Sequence, residues 1–131
     1  MSIAAVAPRI PAVGFAAVIH ATGLTIGLTS LDMPPMAWPE GKHGIVIAYV
    51  SGKNQSGLNS IYQIRSSGVR RAGAAAPVAY GATVIANANA GLAAQSAIVV
   101  VGNTVLVRVT GVAGQRVTWM TCTYVYLNDL T

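Results

Sequence analysis

Charged side chains are scarce in this chain of 131 residues. Asp, Glu, Lys and Arg together make up 8% of the residues, whereas an ordinary soluble domain contains roughly 25%. A free monomer normally stays dispersed through its charged side chains. The chain must therefore use Ser, Thr, Asn, Gln and Gly in their place, or it must cover much of its surface with other subunits.

Acidic residues are the rarest charged groups. Only Asp32, Glu40 and Asp129 oppose eight Lys and Arg residues, which gives a net charge of +5. Because the basic residues are mostly scattered, we expect no nucleic-acid partner. The positive net charge also fits an acidic protein partner. Cys122 is the single cysteine, so an intrachain disulfide is excluded, and we expect its side chain to pack as a small apolar group.

The residues that carry common catalytic and metal chemistry are few. His20 and His43 are the only histidines, and a metal site needs three or four ligands at suitable spacing. The chain contains no G-x-S-x-G motif and neither of the glycine-rich phosphate-binding motifs. The sequence therefore predicts a protein that is not an enzyme and that needs no cofactor or metal.

A long apolar segment near the start raises the alternative of a membrane span. Residues 10–28 have about the length that a span requires. Pro11, His20 and several Gly and Thr residues interrupt the segment, however, and no cluster of Lys and Arg flanks it. We therefore expect no membrane partner.

Short apolar runs separated by turn residues predict an all-β fold. The expected strands cover residues 22–30, 44–52, 60–67, 78–86 and 98–101, and a turn follows at Gly102 and Asn103. Residues 33–44 are rich in proline and read as a loop, whereas residues 87–97 read as a loop with one helical turn. This spacing indicates an antiparallel β-sandwich, for example a jelly roll. We expect an extended arm and a first strand in residues 1–30 and the sandwich domain in residues 31–131.

Residues 103–127 predict two long strands joined by a glycine turn, which we interpret as a hairpin. Side chains alternate between the two faces of a strand, and both faces of these strands carry apolar groups. One face fills the sandwich, so the other must be covered by another subunit or by the N-terminal arm. The predicted subunit-interface residues are Leu106, Trp119, Tyr124 and Tyr126.

The same segment resembles the C-terminal hairpin of small bacteriophage virion proteins. Those proteins often combine alternating valines, a Val-Thr-Gly turn and a Val-Thr-Trp strand. The matching residues here are Val107, Val109, Thr110, Gly111, Val117, Thr118 and Trp119. The resemblance implies a trimeric β-sandwich that decorates capsids or forms the tip of a fibre or spike.

Two further features suggest contacts with a partner. Arg65, Arg70 and Arg71 form the one basic cluster, which is either a solvated turn or, with Arg9 of the arm, a set of capsid or partner contacts through bidentate pairs with carboxylates. Trp38 either fills a gap in the core, the commoner role of Trp, or is a possible ligand contact.

The function that these features predict is a trimeric capsid decoration (cement) protein. It would bind the major capsid protein on the outside of the capsid and stabilise the head. The alternative is a receptor-binding tip of a tail fibre or spike, or a lectin-like module. Its candidate ligand groups are Trp38, Tyr80, Asn87 and Asn89.

Overall fold

The computed structural model describes residues 13–128, which form nine β-strands and contain no helix. Every pairing between these strands is antiparallel. The prediction of an all-β antiparallel sandwich is therefore confirmed. The strands are β1 (Val13–Ile26), β2 (Ser30–Asp32), β3 (Met36–Ala37), β4 (His43–Asn54), β5 (Ser60–Arg70), β6 (Val78–Ala90), β7 (Gln95–Val101), β8 (Thr104–Thr110) and β9 (Arg116–Asn128).

The strands are divided between two sheets. The larger sheet has the order β1-β9-β4-β5-β6, and in the smaller one β8 pairs with β7 along one edge and with β2 and then β3 along the other. Strands β4, β5 and β6 follow one another within the larger sheet. Elsewhere the chain crosses between the sheets, at β1–β2, β3–β4, β6–β7 and β8–β9.

Strand β1 is longer than the strand predicted at residues 22–30. It pairs with β9 from Val13 to Ile26, with one irregularity between Phe15 and Ala17. It thus takes up most of the apolar segment that raised the alternative of a membrane span. Residues 13–128 include no helix that is long and apolar enough to cross a membrane. The predicted arm falls mainly on residues 1–12, which lie outside the described residues, and the division at residue 30 stays a prediction.

The predicted hairpin of residues 103–127 is wrong, because β8 and β9 belong to different sheets. The turn at Gly102 and Asn103 instead joins β7 to β8, which pair along their whole lengths. After β8 the chain crosses to the larger sheet close to β1. A Cβ atom on Gly111 would lie 2.7 Å from the carbonyl oxygen of Gly27, so only glycine fits this crossing. Alternation defines each strand, but it does not identify the strand's partner.

The loop with a helical turn predicted for residues 87–97 is also wrong, because β6 continues to Ala90 and β7 begins at Gln95. The asparagines that suggested turns act within the fold. The Nε2 of Gln63 donates to Oδ1 of Asn87 across the β5–β6 pair (3.2 Å), and Oδ1 of Asn89 accepts the backbone N–H of Leu92 (2.7 Å). Leu92 is fully buried and anchors the short connection. Tertiary contacts thus override the local preferences of alanine and asparagine.

The core lies between the two sheets and is built around two tryptophans. Trp119 on β9 packs in one group of buried residues with Val107 and Val109, and its Nε1 donates to Oγ1 of Thr25 (3.0 Å). Trp38 packs in a second group with Val46, Val69, Val105 and Val125. Both indole groups are 1% exposed. The two groups together occupy most of the length of the sandwich.

Replacing Trp119 with Ala should lower the free energy of unfolding by about 3–5 kcal/mol, because it removes the largest side chain of its group and leaves a cavity. Thr118, the preceding residue, is exposed, so Thr118→Ala should cost less than about 1 kcal/mol. Urea denaturation of both variants at one protein concentration checks this difference. Equal losses would contradict the assignment of Trp119 to the core.

Candidate functional site

The larger sheet has a face that points away from the smaller sheet, which we call the outer face. Its side chains come from alternate positions of each strand, because successive residues of a strand point to opposite sides. The registers of the four strand pairings bring these positions into rows. Across the middle of the sheet, the rows contain no Asp, Glu, Lys or Arg. The residues are Val18, His20, Thr22, Ile45, Ile47, Tyr49, Ser51, Tyr62, Ile64, Ser66, Ala86, Ala88, Met120, Cys122, Tyr124 and Tyr126.

Aromatic and sulfur-containing side chains stand at the centre of the outer face. Tyr49, Tyr62 and Met120 are 46%, 52% and 61% exposed, which is high for groups of this size. The rings of Tyr49 and Tyr124 meet edge to face, with centroids 5.8 Å apart and planes at 79°. Beside them lies an open depression of about 320 Å³, to which His20 and Ser51 contribute polar groups.

Tyr124 on the outer face has a pKa above that of an ordinary tyrosine. A side-chain hydrogen bond with Cys122 raises the pKa of Tyr124, and repulsion from the ionised forms of Cys122, Tyr49 and Tyr126, together with burial, acts in the same direction. Since an ordinary tyrosine already has a pKa of about 10, the Tyr124 phenol is neutral at physiological pH. The central outer face therefore offers apolar contact and neutral hydrogen-bonding groups.

The basic cluster predicted from the sequence is separated by the fold. Arg70 is exposed, and its guanidinium carbon lies 5.8 Å from the centre of the Tyr80 ring. Arg65 points inward, where its Nε donates to Oγ of Ser96 (3.0 Å). The Ser96 hydroxyl in turn donates to Oε1 of Gln63. Arg9, the fourth predicted contact, lies outside the described residues.

Arg71 is buried and serves the fold. Its guanidinium donates to three backbone carbonyl groups: Nη1 to Trp38 (2.6 Å), Nε to Ala75 (2.7 Å) and Nη2 to Ala74 (3.3 Å). These bonds close the loop between β5 and β6 against the loop that carries Trp38. A guanidinium that donates to three carbonyl groups is not available to clasp a partner's carboxylates. Among the three clustered arginines, only Arg70 is freely exposed.

The aromatic residues predicted as contacts divide in the same way. Trp38 is buried and donates from Nε1 to the carbonyl of Lys42 (2.8 Å), so it fills the core and does not present its ring to a ligand. Trp119 and Leu106 are 1% and 7% exposed, so neither offers a surface to another subunit. Tyr124 and Tyr126 lie on the outer face and are half-buried. Of the four predicted interface residues, the two tyrosines are the ones on a surface.

Sequence reasoning missed most of the outer face. The sequence predicts a short buried strand at residues 44–52, whereas β4 extends from His43 to Asn54 and Ile45 and Tyr49 are exposed. The signal that indicates two apolar faces in residues 103–127, apolar residues at both odd and even positions, is also present in β4 and β5. The sequence-based prediction of an exposed apolar face did not extend to these two strands.

The described acidic residues do not form a catalytic or metal-binding cluster. Within residues 13–128, no group of three or more His, Cys, Asp and Glu side chains comes together. Asp32 accepts two hydrogen bonds from Arg108, at 2.6 and 3.1 Å. The hydrogen bonding and the positive charge of Arg108 lower the pKa of Asp32, although slight burial acts in the opposite direction. The pair ties β2 to β8 at the surface of the smaller sheet.

Comparisons with known proteins give a distant structural likeness. No protein-family model matches the chain, and no curated protein matches it. Among solved structures, the chain is similar to the tailspike protein of Acinetobacter baumannii phage AM24, with 11% sequence identity and a TM-score of 0.49. The similar region covers 95% of this chain and 28% of the tailspike chain.

Replacing Arg71 with Met should lower the free energy of unfolding by about 2–3 kcal/mol, because three carbonyl groups lose a charged donor. The matched control is Arg70→Met, which changes an exposed neighbour and should cost less than about 1 kcal/mol. Thermal and urea denaturation measure both. If the two variants lost equal stability, the structural role of Arg71 would be refuted.

Proposed function

We propose that the chain is a non-enzymatic structural subunit of a bacteriophage virion and that it works by adhesion. The observation that carries this proposal is the outer face, which is uncharged across its middle rows and exposes aromatic and aliphatic groups. Exposed apolar patches of this kind mark interaction sites, because soluble monomers rarely leave them in water. The scarcity of charge supports the same function. So does the resemblance in sequence of residues 105–127 to phage virion proteins, although these residues do not form the hairpin that the resemblance implies.

The outer face has a projected area of the same order as a subunit interface. Five strands at a spacing of about 4.8 Å and roughly seven residues at about 3.3 Å each give a projected area of about 550 Å². The area that side chains present is larger than this projection, and a standard interface buries about 800 Å² on each partner. In the trimer that the resemblance implies, the outer faces of three copies meet around the threefold axis. Neutral faces approach one another without charge repulsion.

The role that fits such a trimer is capsid decoration. The subunits attach to the major capsid protein from outside and stabilise the head through many contacts. Each buried apolar contact contributes roughly 25 cal/mol per Å², and simultaneous attachment of three subunits multiplies weak contacts into high avidity. This role needs no catalytic group, cofactor or nucleic-acid contact, and it places the protein on the capsid surface.

The oligomer is tested by measuring the mass in solution by light scattering. A trimer of the 13.4 kDa chain should appear in detergent-free buffer at about three times that mass. Tyr49→Lys places a charge at the centre of the outer face and should shift the protein towards monomer, because an unpaired charge in an apolar interface is costly. The control is Val101→Lys on the smaller sheet, since Val101 and Tyr49 are both 46% exposed. A monomeric wild type would refute the interface.

The virion role is tested separately, by mass spectrometry of purified particles from the phage or prophage that encodes the chain. We expect the chain in intact particles and in heads separated from tails. Its presence in tails alone would refute the decoration role and favour the fibre or spike. Its absence from both would refute the virion role altogether.

A second candidate function is carbohydrate binding at a fibre or spike tip, and the depression on the outer face favours it. Two half-exposed tyrosines border this depression, and His20 and Ser51 supply polar groups, as in sites where an apolar wall and a few polar groups orient a ligand.

Screening on a glycan array would reveal a bound sugar, and Tyr62→Ala should then weaken binding at least about tenfold, a loss of about 1.4 kcal/mol. Tyr80→Ala, which changes a tyrosine of similar exposure outside the depression, is the control. Equal binding by wild type and Tyr62→Ala would exclude the depression as the site.

A further inference from the structure

Four connections meet at one end of the sandwich, which we call the lower end. They are residues 27–29 between β1 and β2, residues 55–59 between β4 and β5, residues 91–94 between β6 and β7, and residues 111–115 between β8 and β9. The register of the larger sheet brings them together, because the last residue of β1 pairs with Arg116 and the last residue of β4 pairs with Val117. The lower end is therefore formed by loops from both sheets.

The tips of two of these loops carry the most exposed large apolar side chains among the described residues. Leu58 is 83% exposed and Leu28 is 72% exposed, and Ile26 next to Leu28 is 64% exposed. Full burial of a leucine is worth about 1.5–3 kcal/mol. Within the chain, these leucines gain none of that stabilisation, because they are not buried. A polar residue would fit the same loop positions, so the leucines point to burial against a partner.

The loop that carries Leu58 is held in a fixed shape by its own hydrogen bonds. The Oδ1 of Asn54 accepts the hydroxyl of Ser56 (2.9 Å) and the backbone N–H of Asn59 (3.3 Å). The Ser56 hydroxyl oxygen also accepts the backbone N–H of Leu58 (3.2 Å). Polar groups alone thus define the loop, and the leucine side chain adds nothing to its internal bonding.

The neighbouring loops are tied to this one. The Nδ2 of Asn54 donates to Oε1 of Gln115 (3.2 Å), and Oε1 of Gln55 accepts the backbone N–H of Arg116 (3.0 Å). The backbone N–H of Gly27 donates to the carbonyl of Gln115 (2.8 Å). The loops that carry Leu28 and Leu58 are therefore fixed relative to each other through one residue, Gln115. Two fixed apolar anchors lose little conformational entropy when they bind.

The charge near the lower end has one sign. Lys53 and Arg116 are exposed at the ends of β4 and β9, and neither forms an ion pair within the described part of the chain. Neither of the two described acids offers a free negative charge at the lower end. Asp32 is paired with Arg108 on the smaller sheet, and Glu40 precedes β4, at the opposite end. A partner at the lower end therefore gains most from acidic groups.

We propose that the lower end is a docking surface for an acidic protein partner, which takes Leu28 and Leu58 into apolar sockets and places carboxylates opposite Lys53 and Arg116. This inference rests on the proposed virion function, because the partner is then a protein of the particle. The rigid spacing of the two anchors favours a shaped protein surface over a fluid bilayer. Two cations are also fewer than the four to eight that typically recognise anionic lipid.

The docking surface lies away from the three arginines that the sequence predicted as partner contacts. Arg70 pairs with His43 and Val78 at the end of the sheet opposite to the lower end, and Arg65 and Arg71 are engaged within the fold. Substitutions at the lower end should therefore weaken partner binding, whereas substitution of Arg70 should not, and one binding experiment can distinguish the two ends.

The experiment measures binding of the purified protein to particles of the encoding phage that lack this gene, by co-sedimentation over a range of protein concentrations. Leu28→Ser combined with Leu58→Ser should weaken binding at least about tenfold, which corresponds to 1.4 kcal/mol. Lys53→Glu combined with Arg116→Glu should do the same, and wild-type binding should weaken as salt is raised. Val101→Ser and Arg70→Glu, at the opposite end, are the matched controls and should bind like the wild type. All variants must match the wild type in mass and in circular dichroism.

Each outcome decides a different point. If the wild type binds and the lower-end variants bind equally well, the docking surface is wrong while the virion function stands. If Arg70→Glu alone abolishes binding, the contact lies at the opposite end. If the wild type does not bind the particles, the virion function fails and the inference fails with it. Binding to vesicles that contain 30% anionic lipid, lost in the double leucine variant, would overturn the protein partner in favour of a membrane surface.

Discussion

Strand β9 is the element on which both faces of the larger sheet depend. It hydrogen-bonds to β1 along one edge and to β4 along the other, over nearly its whole length. Its strict alternation sends Val117, Trp119 and Val125 into the core and sends Cys122, Tyr124 and Tyr126 to the outer face. A shift of one residue in this register would exchange the two sets. Core packing therefore fixes the position of the tyrosines on the opposite side.

Several of the few charged groups of this chain hold the fold together. Arg71 closes two loops through three carbonyl groups, Arg65 joins a buried network with Ser96 and Gln63, and Arg108 pairs with Asp32. Buried polar atoms in the described residues all have hydrogen-bond partners. Arg65 and Arg71 are thus used inside the fold, and Arg108 is paired with Asp32 at the surface of the smaller sheet. The middle rows of the outer face carry no Asp, Glu, Lys or Arg, and the lower end carries Lys53 and Arg116.

Those two surfaces suit different partners for a physical reason. A broad sheet face without Asp, Glu, Lys or Arg in its middle rows can pack against further copies of the chain, because the contact brings no like charges together. The lower end is narrow, carries two fixed leucines and has only positive charge, so a second copy of the same end would repel it. Self-association through the outer face and attachment through the lower end can therefore occur together. A subunit that both forms an oligomer and attaches to another protein needs two separate surfaces of this kind.

The sequence alone was sufficient for the fold class, because period-two alternation and turn residues are local signals. Valines on alternate positions of β8 and the turn at Gly102 and Asn103 were visible without the structure, as was the apolar character of both faces of β9.

The partner of each strand was not visible in the sequence. Pairing of β9 with β1 and β4, and not with β8, depends on contacts between residues 63 to 115 positions apart in the chain. Tertiary structure also separated the clustered arginines. Arg65 points inward from the middle of β5, Arg70 is exposed at the end of β5, and Arg71 is buried just after it. It alone brought Leu28 and Leu58 to one end of the molecule, because only the register of the sheet makes distant loops neighbours.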